Sequence, residues 1–302
     1  MDTRRFPEEV KLFDTEPGVR VLVHSQRPTG PPVAEVIVVH GLEGSSQAGY
    51  AQSLAHELLH AGWAAHRFNM RSCGGTEHLS GRGLYHSGQT SDLLSVVRQI
   101  KADAPIFLAG FSLGGNVVLK LAGELGERAP GLIAGVVAVS TPIDLAACAR
   151  KLASPSNIVY SRRFLRRLKQ RIRLKAQSAP GLFALEQLDG VKSVYEFDDK
   201  FTAPAFEFGT ADNYYATQSS NQFLDGIQVP ALLVQAKDDP LIPFEVYNHP
   251  AFVRNPHLRL LAVEHGGHVG FISKTPPRFW LDHVLLEWMS EVRNKAAATL
   301  VS

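Results

Sequence analysis

A serine hydroxyl is a weak nucleophile near neutral pH, and Gly110-Phe111-Ser112-Leu113-Gly114 is a setting that could strengthen one. The pentapeptide matches G-x-S-x-G, the sharp turn that lifts a serine above the end of a strand as the chain enters a helix. The apolar run Pro105-Ile106-Phe107-Leu108-Ala109 before it is of buried-strand type. The run Asn116-Val117-Val118-Leu119-Lys120-Leu121-Ala122 after it continues as a buried helix. At that helix N-terminus the Leu113 amide is the first expected donor to a developing oxyanion.

Such a serine needs a base, and the base needs an orienting acid. Asp238 and Asp239 follow the apolar run 231–235, so both carboxylates lie on a loop at the carboxyl end of a strand, the ligand side of a parallel sheet. Spacing to the following Leu241-Ile242-Pro243 favours Asp239, with Asp238 the alternative; either could instead cap the next turn. His268, in His265-Gly266-Gly267-His268-Val269-Gly270, follows the run 258–263, and Gly267 and Gly270 leave it room to approach Ser112. His265 is its rival. The second oxyanion donor is expected from the Leu42 amide in His40-Gly41-Leu42-Glu43-Gly44-Ser45-Ser46, whose plainer reading is a glycine-rich turn. Phe183, Phe206, Phe208, Tyr214 and Tyr215 would line an acyl pocket, unless they only pack the segment that carries them. This chemistry requires no cofactor.

Positioning these groups calls for alternating strands and helices. Short β-branched runs predict strands over 19–24, 34–39, 64–68, 105–109, 133–140, 231–235 and 258–263, and longer periodic stretches predict helices over 49–61, 91–102, 113–125 and 277–292. That order argues for a mostly parallel sheet flanked by helices. The rhythm breaks over 141–227, which carries a basic run and then Tyr195-Glu196-Phe197-Asp198-Asp199. It reads as a mainly helical cap inserted into a core formed by 1–140 and 228–302.

Composition limits the remaining choices. A net charge of +2 from 31 basic and 29 acidic residues gives no global attraction to nucleic acid, and 45% hydrophobic residues suffice for a large core. Cys73 and Cys148 are too few for a disulfide scaffold. The stretch 1–13 lacks the apolar core of a signal peptide and the longest apolar run, 132–139, is too short for a bilayer, so a cytoplasmic setting is expected.

Several signals compete with the serine. His56-Glu57-Leu58-Leu59-His60 is a literal H-E-x-x-H, followed by His66, but Trp63 stands where the longer zinc signature needs glycine and His66 falls in a predicted strand. Arg162, Arg163, Arg166, Arg167, Lys169, Arg171, Arg173 and Lys175 accompany an apolar stripe of Phe164, Leu165, Leu168 and Ile172. The plain reading is a cap helix with a wet basic side; the sharper one is weak peripheral contact with anionic lipid. His86 and Asp92 read as local hydrogen-bonding residues, and Cys73 as a packing residue.

His40-Gly41-Leu42-Glu43-Gly44-Ser45, Asn69-Met70-Arg71-Ser72-Cys73-Gly74-Gly75-Thr76, Tyr85-His86-Ser87-Gly88 with Asp92, the run from Gly110 to Asn116, Phe197-Asp198-Asp199 with Thr202-Ala203-Pro204, Tyr214-Tyr215 and Asp238-Asp239-Pro240 run through nearly the whole chain. Together they resemble the α/β-hydrolase superfamily, and within it the YheT-like branch related to medium-chain acyltransferase/esterases. The resemblance implies the α/β-hydrolase fold and serine ester chemistry, with acyl transfer to alcohols in some relatives. Departures concentrate over 147–188, which bears on substrate size. A ligand receptor on the same scaffold and a zinc peptidase are the rival readings.

Overall fold

The computed structural model describes residues 5–81, 83–100 and 104–299. Eight strands form one sheet in the order β1-β2-β4-β3-β5-β6-β7-β8. They are β1 (Glu8–Glu16), β2 (Val19–Gln26), β3 (Glu35–Val39), β4 (Ala64–Phe68), β5 (Ile106–Phe111), β6 (Gly135–Val139), β7 (Ala231–Ala236) and β8 (Leu258–Val263). The pairs β1·β2 and β2·β4 are antiparallel, and every other neighbouring pair is parallel.

The central strands β3 to β7 are buried at every position, as a parallel sheet covered on both faces requires. On one face α1 (Gly49–His60) and α10 (Trp280–Thr299) bury Leu54, Leu58, Leu285 and Met289 against Val36, Phe107 and Val137. On the other, α2 (Ser91–Gln99) and α3 (Leu113–Leu125) bury Leu93, Val96, Val117 and Leu121 against Ile37, Leu108 and Val136. The predicted continuation of α2 through 101–102 lies outside the described residues.

Between β6 and β7 the chain runs through α4 (Leu145–Leu152), α5 (Ile158–Ser178), α6 (Val194–Phe197), α7 (Ala203–Ala205) and α8 (Ala211–Gln218), without a strand. A short α9 (Ala251–Arg254) precedes β8. The helices of this segment have apolar clusters of their own, Leu165, Leu168, Ile172, Phe197 and Phe201 closing on Leu84, and Ala203, Ala211 and Tyr214 closing on Leu145. Asn116 in α3 ties this segment to the core: its amide donates to the carbonyls of Ser87 (2.8 Å) and Gln218 (2.9 Å), and its oxygen accepts from Ser220 N–H (2.8 Å). Arg71 joins α2 to the edge of the sheet, chelating the buried Asp92 with two bonds of 2.6 Å and reaching Glu16 of β1. No helix among the described residues is long and apolar enough to cross a membrane.

One strand escapes the sequence pattern. β1, Glu-Glu-Val-Lys-Leu-Phe-Asp-Thr-Glu, is an edge strand with Phe13 alone buried, while Val10 (51%) and Leu12 (43%) are exposed. It carries the charge that keeps sheet edges from pairing with other chains, and the same charge hides the strand from hydrophobic periodicity.

A Cβ at Gly114 would stand 2.6 Å from His40 O and against Val39 O, where only backbone could give way. Gly114→Ala therefore lowers stability by about 1–3 kcal/mol in urea unfolding, and an unchanged midpoint would contradict the close crossing. The Asp198 carboxyl accepts hydrogen bonds from Tyr215 Oη (2.6 Å) and Thr202 Oγ1 (2.7 Å), yet burial pushes its pKa from 3.8 to about 6. A raised carboxyl favours the fold below pH 3.8 and loses that contribution as pH rises through 6. Asp198→Asn is then more stable than the parent above pH 6 by up to about 3 kcal/mol, the two converging below pH 4; a difference that does not change with pH would refute the assignment.

Candidate active site

The turn between β5 and α3 forces Ser112 to φ 53°, ψ −122°, outside ordinary strand or helix geometry. Ser112 N–H donates to Val139 O at 2.8 Å, and its own carbonyl accepts from Gly115 N–H at 2.8 Å, so the strained residue is held from both sides. Its side chain thereby stands at the carboxyl end of the sheet. Gly41, at the end of β3, passes so close that a Cβ there would sit 3.0 Å from Ser112 Cβ.

His268 arrives on the loop after β8, with Nε2 2.9 Å from Ser112 Oγ. Its Nδ1 lies 3.0 Å from Asp239 Oδ2 and 3.2 Å from Oδ1. This network assigns the proton to Nδ1 and leaves Nε2 to accept from the serine hydroxyl. Asp239 is fully enclosed, its Oδ1 accepting from Leu241 N–H (2.8 Å) and Ile242 N–H (3.2 Å) and its Oδ2 from Gln235 Nε2 (3.1 Å). A chain of this geometry can take a proton from Ser112 onto His268 while a fixed carboxylate orients and stabilises the imidazolium.

The two competing residues are placed elsewhere. Asp238 accepts from Gly267 N–H (2.8 Å), Gly266 N–H (2.9 Å) and His265 Nδ1 (3.2 Å), and the Gly267 bond leads the contributions that hold its carboxyl below the usual range. It braces the loop that presents His268. His265 is almost wholly exposed beside it.

Leu42 and Leu113 both line the cavity that contains Ser112 and His268. The loop carrying Leu42 is fixed by His40, whose Nδ1–H donates to Gly41 O (2.8 Å) and whose Nε2 accepts from Met70 N–H (3.2 Å). Burial lowers the pKa of His40 to about 4, so it serves there as a neutral brace. Gly41 N–H donates to Tyr50 Oη at 2.9 Å. Glu43, at φ 55°, donates its N–H to Tyr85 Oη (2.9 Å).

The cavity, of about 120 Å³, is walled by Leu84, Leu145, Leu152, Phe164, Leu168, Ile172 and Val194. Tyr214 and Tyr215 line it as expected; Phe183, Phe206 and Phe208 do not. Phe183 and Phe206 open onto a separate depression beside Glu16 and Lys200, and Phe208 stacks on Tyr214 at 5.2 Å. Aliphatic residues from α4 and α5 take their place. The stripe of Phe164, Leu168 and Ile172 at helical spacing was the signal, because an amphipathic helix turns such a face inward.

His56 and His60 share a face of α1, with ring centroids 4.3 Å apart, but His66 lies in β4 between Ser25 Oγ (2.8 Å) and Glu35 Oε2 (2.7 Å). No group of three metal-ligating side chains converges among the described residues. Cys73 is buried, with its thiol pushed up to about 12, and packs in the core.

The α/β hydrolase fold model matches residues 35–275. The Escherichia coli protein named "Putative esterase YheT" is 34% identical over 84% of this chain and 76% of its own length. Phospholipase ABHD3 of Mus musculus is 28% identical over 92% of this chain and 67% of its own, and the monoacylglycerol lipase of Saccharomyces cerevisiae 28% over 84% and 58%. Among solved structures, the Pyrococcus furiosus esterase Pf2001 superposes with a TM-score of 0.62 at 17% identity, covering 95% of this chain and 91% of that one. Est1E from Butyrivibrio proteoclasticus gives 0.60 at 17%, covering 94% and 98%. The elbow, the sheet order and these matches agree: the chain belongs to the α/β-hydrolase superfamily, in the branch that includes YheT.

Proposed function

We propose that this protein is a serine carboxylesterase that hydrolyses short- to medium-chain carboxylic esters through an acyl-serine intermediate. The observation that carries the reading is the continuous chain from Ser112 Oγ through His268 to Asp239, at 2.9 and 3.0 Å. His268 removes the hydroxyl proton as Ser112 attacks the ester carbonyl, and the Leu113 and Leu42 amides stabilise the oxyanion, each such donor contributing about 3 kcal/mol. The departing alcohol takes its proton from His268. The same histidine then deprotonates the water that releases the acid. An alcohol in place of that water gives acyl transfer with the same residues.

The insertion, taken as a cap over 141–227, supplies the acyl pocket. A volume of about 120 Å³ is close to the roughly 150 Å³ apolar cavity that holds benzene, which supports a short acyl group under the closed cap. The names of two relatives, a phospholipase and a monoacylglycerol lipase, support an ester substrate with a larger alcohol side. The two buried, unpaired cysteines support a reducing, cytoplasmic setting.

Turnover of a p-nitrophenyl ester series tests the reaction. Ser112→Ala lowers kcat by about 10⁴-fold or more without loss of fold, parent activity declines beyond medium chain length, and added alcohol diverts part of the acyl group into a new ester. Turnover that survives Ser112→Ala would defeat the assignment.

A weak membrane contact is supported by the outer side of α5, where Arg162, Arg163 and Arg166 are exposed next to the exposed Ile158, Val159 and Tyr160 in the first turns and Arg173 is exposed farther along. Co-sedimentation with phosphatidylglycerol vesicles that falls with salt is expected; equal binding to neutral vesicles would remove the electrostatic contact.

A further inference from the structure

The residue after Leu42 is bound at every polar atom. Glu43 N–H donates to Tyr85 Oη, and that hydroxyl donates back to Glu43 Oε1 at 2.8 Å. From α5, Arg171 chelates the same carboxylate, Nε to Oε1 at 2.7 Å and Nη2 to Oε2 at 3.0 Å, with its guanidinium 5.2 Å from the centre of the Tyr85 ring. One turn earlier Arg167 Nη1 donates to Glu43 O at 3.3 Å. The ion pair is enclosed, with the Glu43 side chain 4% and the Arg171 side chain 11% exposed. One turn later Lys175 donates to Glu77 O and Ser80 Oγ, both at 2.8 Å, so a single face of α5, spaced i, i+4, i+8, grips the loops at the carboxyl end of the sheet.

Glu43 holds a left-handed φ of 55°, a conformation that costs free energy in a residue with a side chain and persists where its surroundings over-determine it. Here the determinants are Tyr85 and Arg171. A bidentate guanidinium–carboxylate pair fixes orientation as well as distance. The peptide preceding Glu43 carries the Leu42 carbonyl, and the amide before that is the second oxyanion donor. One residue, Leu42, separates the donor from the Glu43 amide, so the orientation of Glu43 constrains the donor peptide from one side while His40 Nδ1–H (2.8 Å) and Gly44 N–H (3.0 Å) hold it through Gly41 O.

We propose that Glu43 and Arg171 are positioning residues for the oxyanion site: their ion pair sets the Leu42 amide against Ser112, so that the site is complete only while α5 is docked on the Glu43 loop. This rests on the reading of Leu42 as an oxyanion donor given above. It makes the helix that walls the acyl pocket a part of the transition-state machinery, through a contact with the loop rather than with the substrate.

The test is the double variant Glu43→Gln/Arg171→Met, which removes both charges and leaves neither buried alone. The substrate is p-nitrophenyl acetate, whose acyl group is too short to depend on the α5 wall. The expected result is a kcat about 10- to 100-fold lower with KM within about twofold, in a protein whose circular dichroism and cooperative unfolding match the parent. Binding of phenylboronic acid, which forms a tetrahedral adduct on the serine oxygen, weakens by the same factor as kcat/KM. Arg171→Lys keeps the charge but not the chelation, so its kcat falls between the two; it decides the question if the double variant does not fold. An unchanged kcat, or a loss confined to KM for long-chain esters, would overturn the proposal. Ser112→Ala measured alongside separates the two levels: residual turnover there defeats the serine reading itself, whereas a silent Ser112→Ala beside a fully active double variant defeats the positioning role alone.

Discussion

α3 crosses the ends of β3 and β5 at backbone contact, and the placement of every group at the candidate site follows from that crossing. Gly110 and Gly114 meet there with no space for a Cβ: one at Gly110 would stand 2.6 Å from Gly115 N, and one at Gly114 2.6 Å from His40 O. That contact puts Ser112 into its strained conformation and brings the first residues of α3 beside the loop that follows β3. Ser112 and Gly41 thus become neighbours through backbone packing, with Leu42 and Leu113, the residues that follow them, lining one cavity. His268 and Asp239 need only be delivered to the same edge, which parallel strands do by ending their loops there.

The parts of the molecule built on local sequence rules were legible. The predicted strands 64–68 and 258–263 and the helix 113–125 coincide with β4, β8 and α3, because short runs bounded by turn residues and an apolar stretch opening at a glycine turn carry their own signal. Serine, aspartate and histidine were legible in order for the same reason, each sitting at the end of a recognisable strand. Asp238 against Asp239 was a harder matter. The two differ only in which side of one turn they face, and the turn directs Asp239 inward to Gln235 and His268 while Asp238 collects the exposed amides of Gly266 and Gly267.

What escaped the sequence was tertiary. Phe206 and Phe208 look like pocket residues by composition, yet they pack around His86, with Phe206 4.5 Å from its ring, because the turn after α7 carries them past the cavity. The wall fell instead to Phe164, Leu168 and Ile172 of α5, whose helical spacing marks one face, and to Leu145 and Leu152 of α4, whose place in the wall depends on how that helix docks. Glu43 lies in the motif His40-Gly41-Leu42-Glu43-Gly44-Ser45, where sequence alone gives it no role. Its partner lies 128 residues away, and a carboxylate in a glycine-rich turn has nothing around it in sequence to indicate a buried cation.

α5 shows most clearly why a charge run cannot be read as one object. Its cations divide by helical phase: Arg167, Arg171 and Lys175 face the sheet loops, whereas Arg162, Arg163, Arg166 and Arg173 face outward. Between these faces runs the stripe of Phe164, Leu168 and Ile172 that walls the cavity. Burying Glu43 with Arg171 is a poor route to stability, since the desolvation of two charges offsets most of their attraction. Apolar residues would dock the helix as firmly but would leave it free to slide by a fraction of a turn. A chelated carboxylate fixes one register, and under the proposed positioning role that register reaches Ser112 through the loop bearing Leu42. On that reading the same helix sets the width of the pocket and the placement of an oxyanion donor, so a change in the geometry of 141–227 alters substrate size and transition-state stabilisation together.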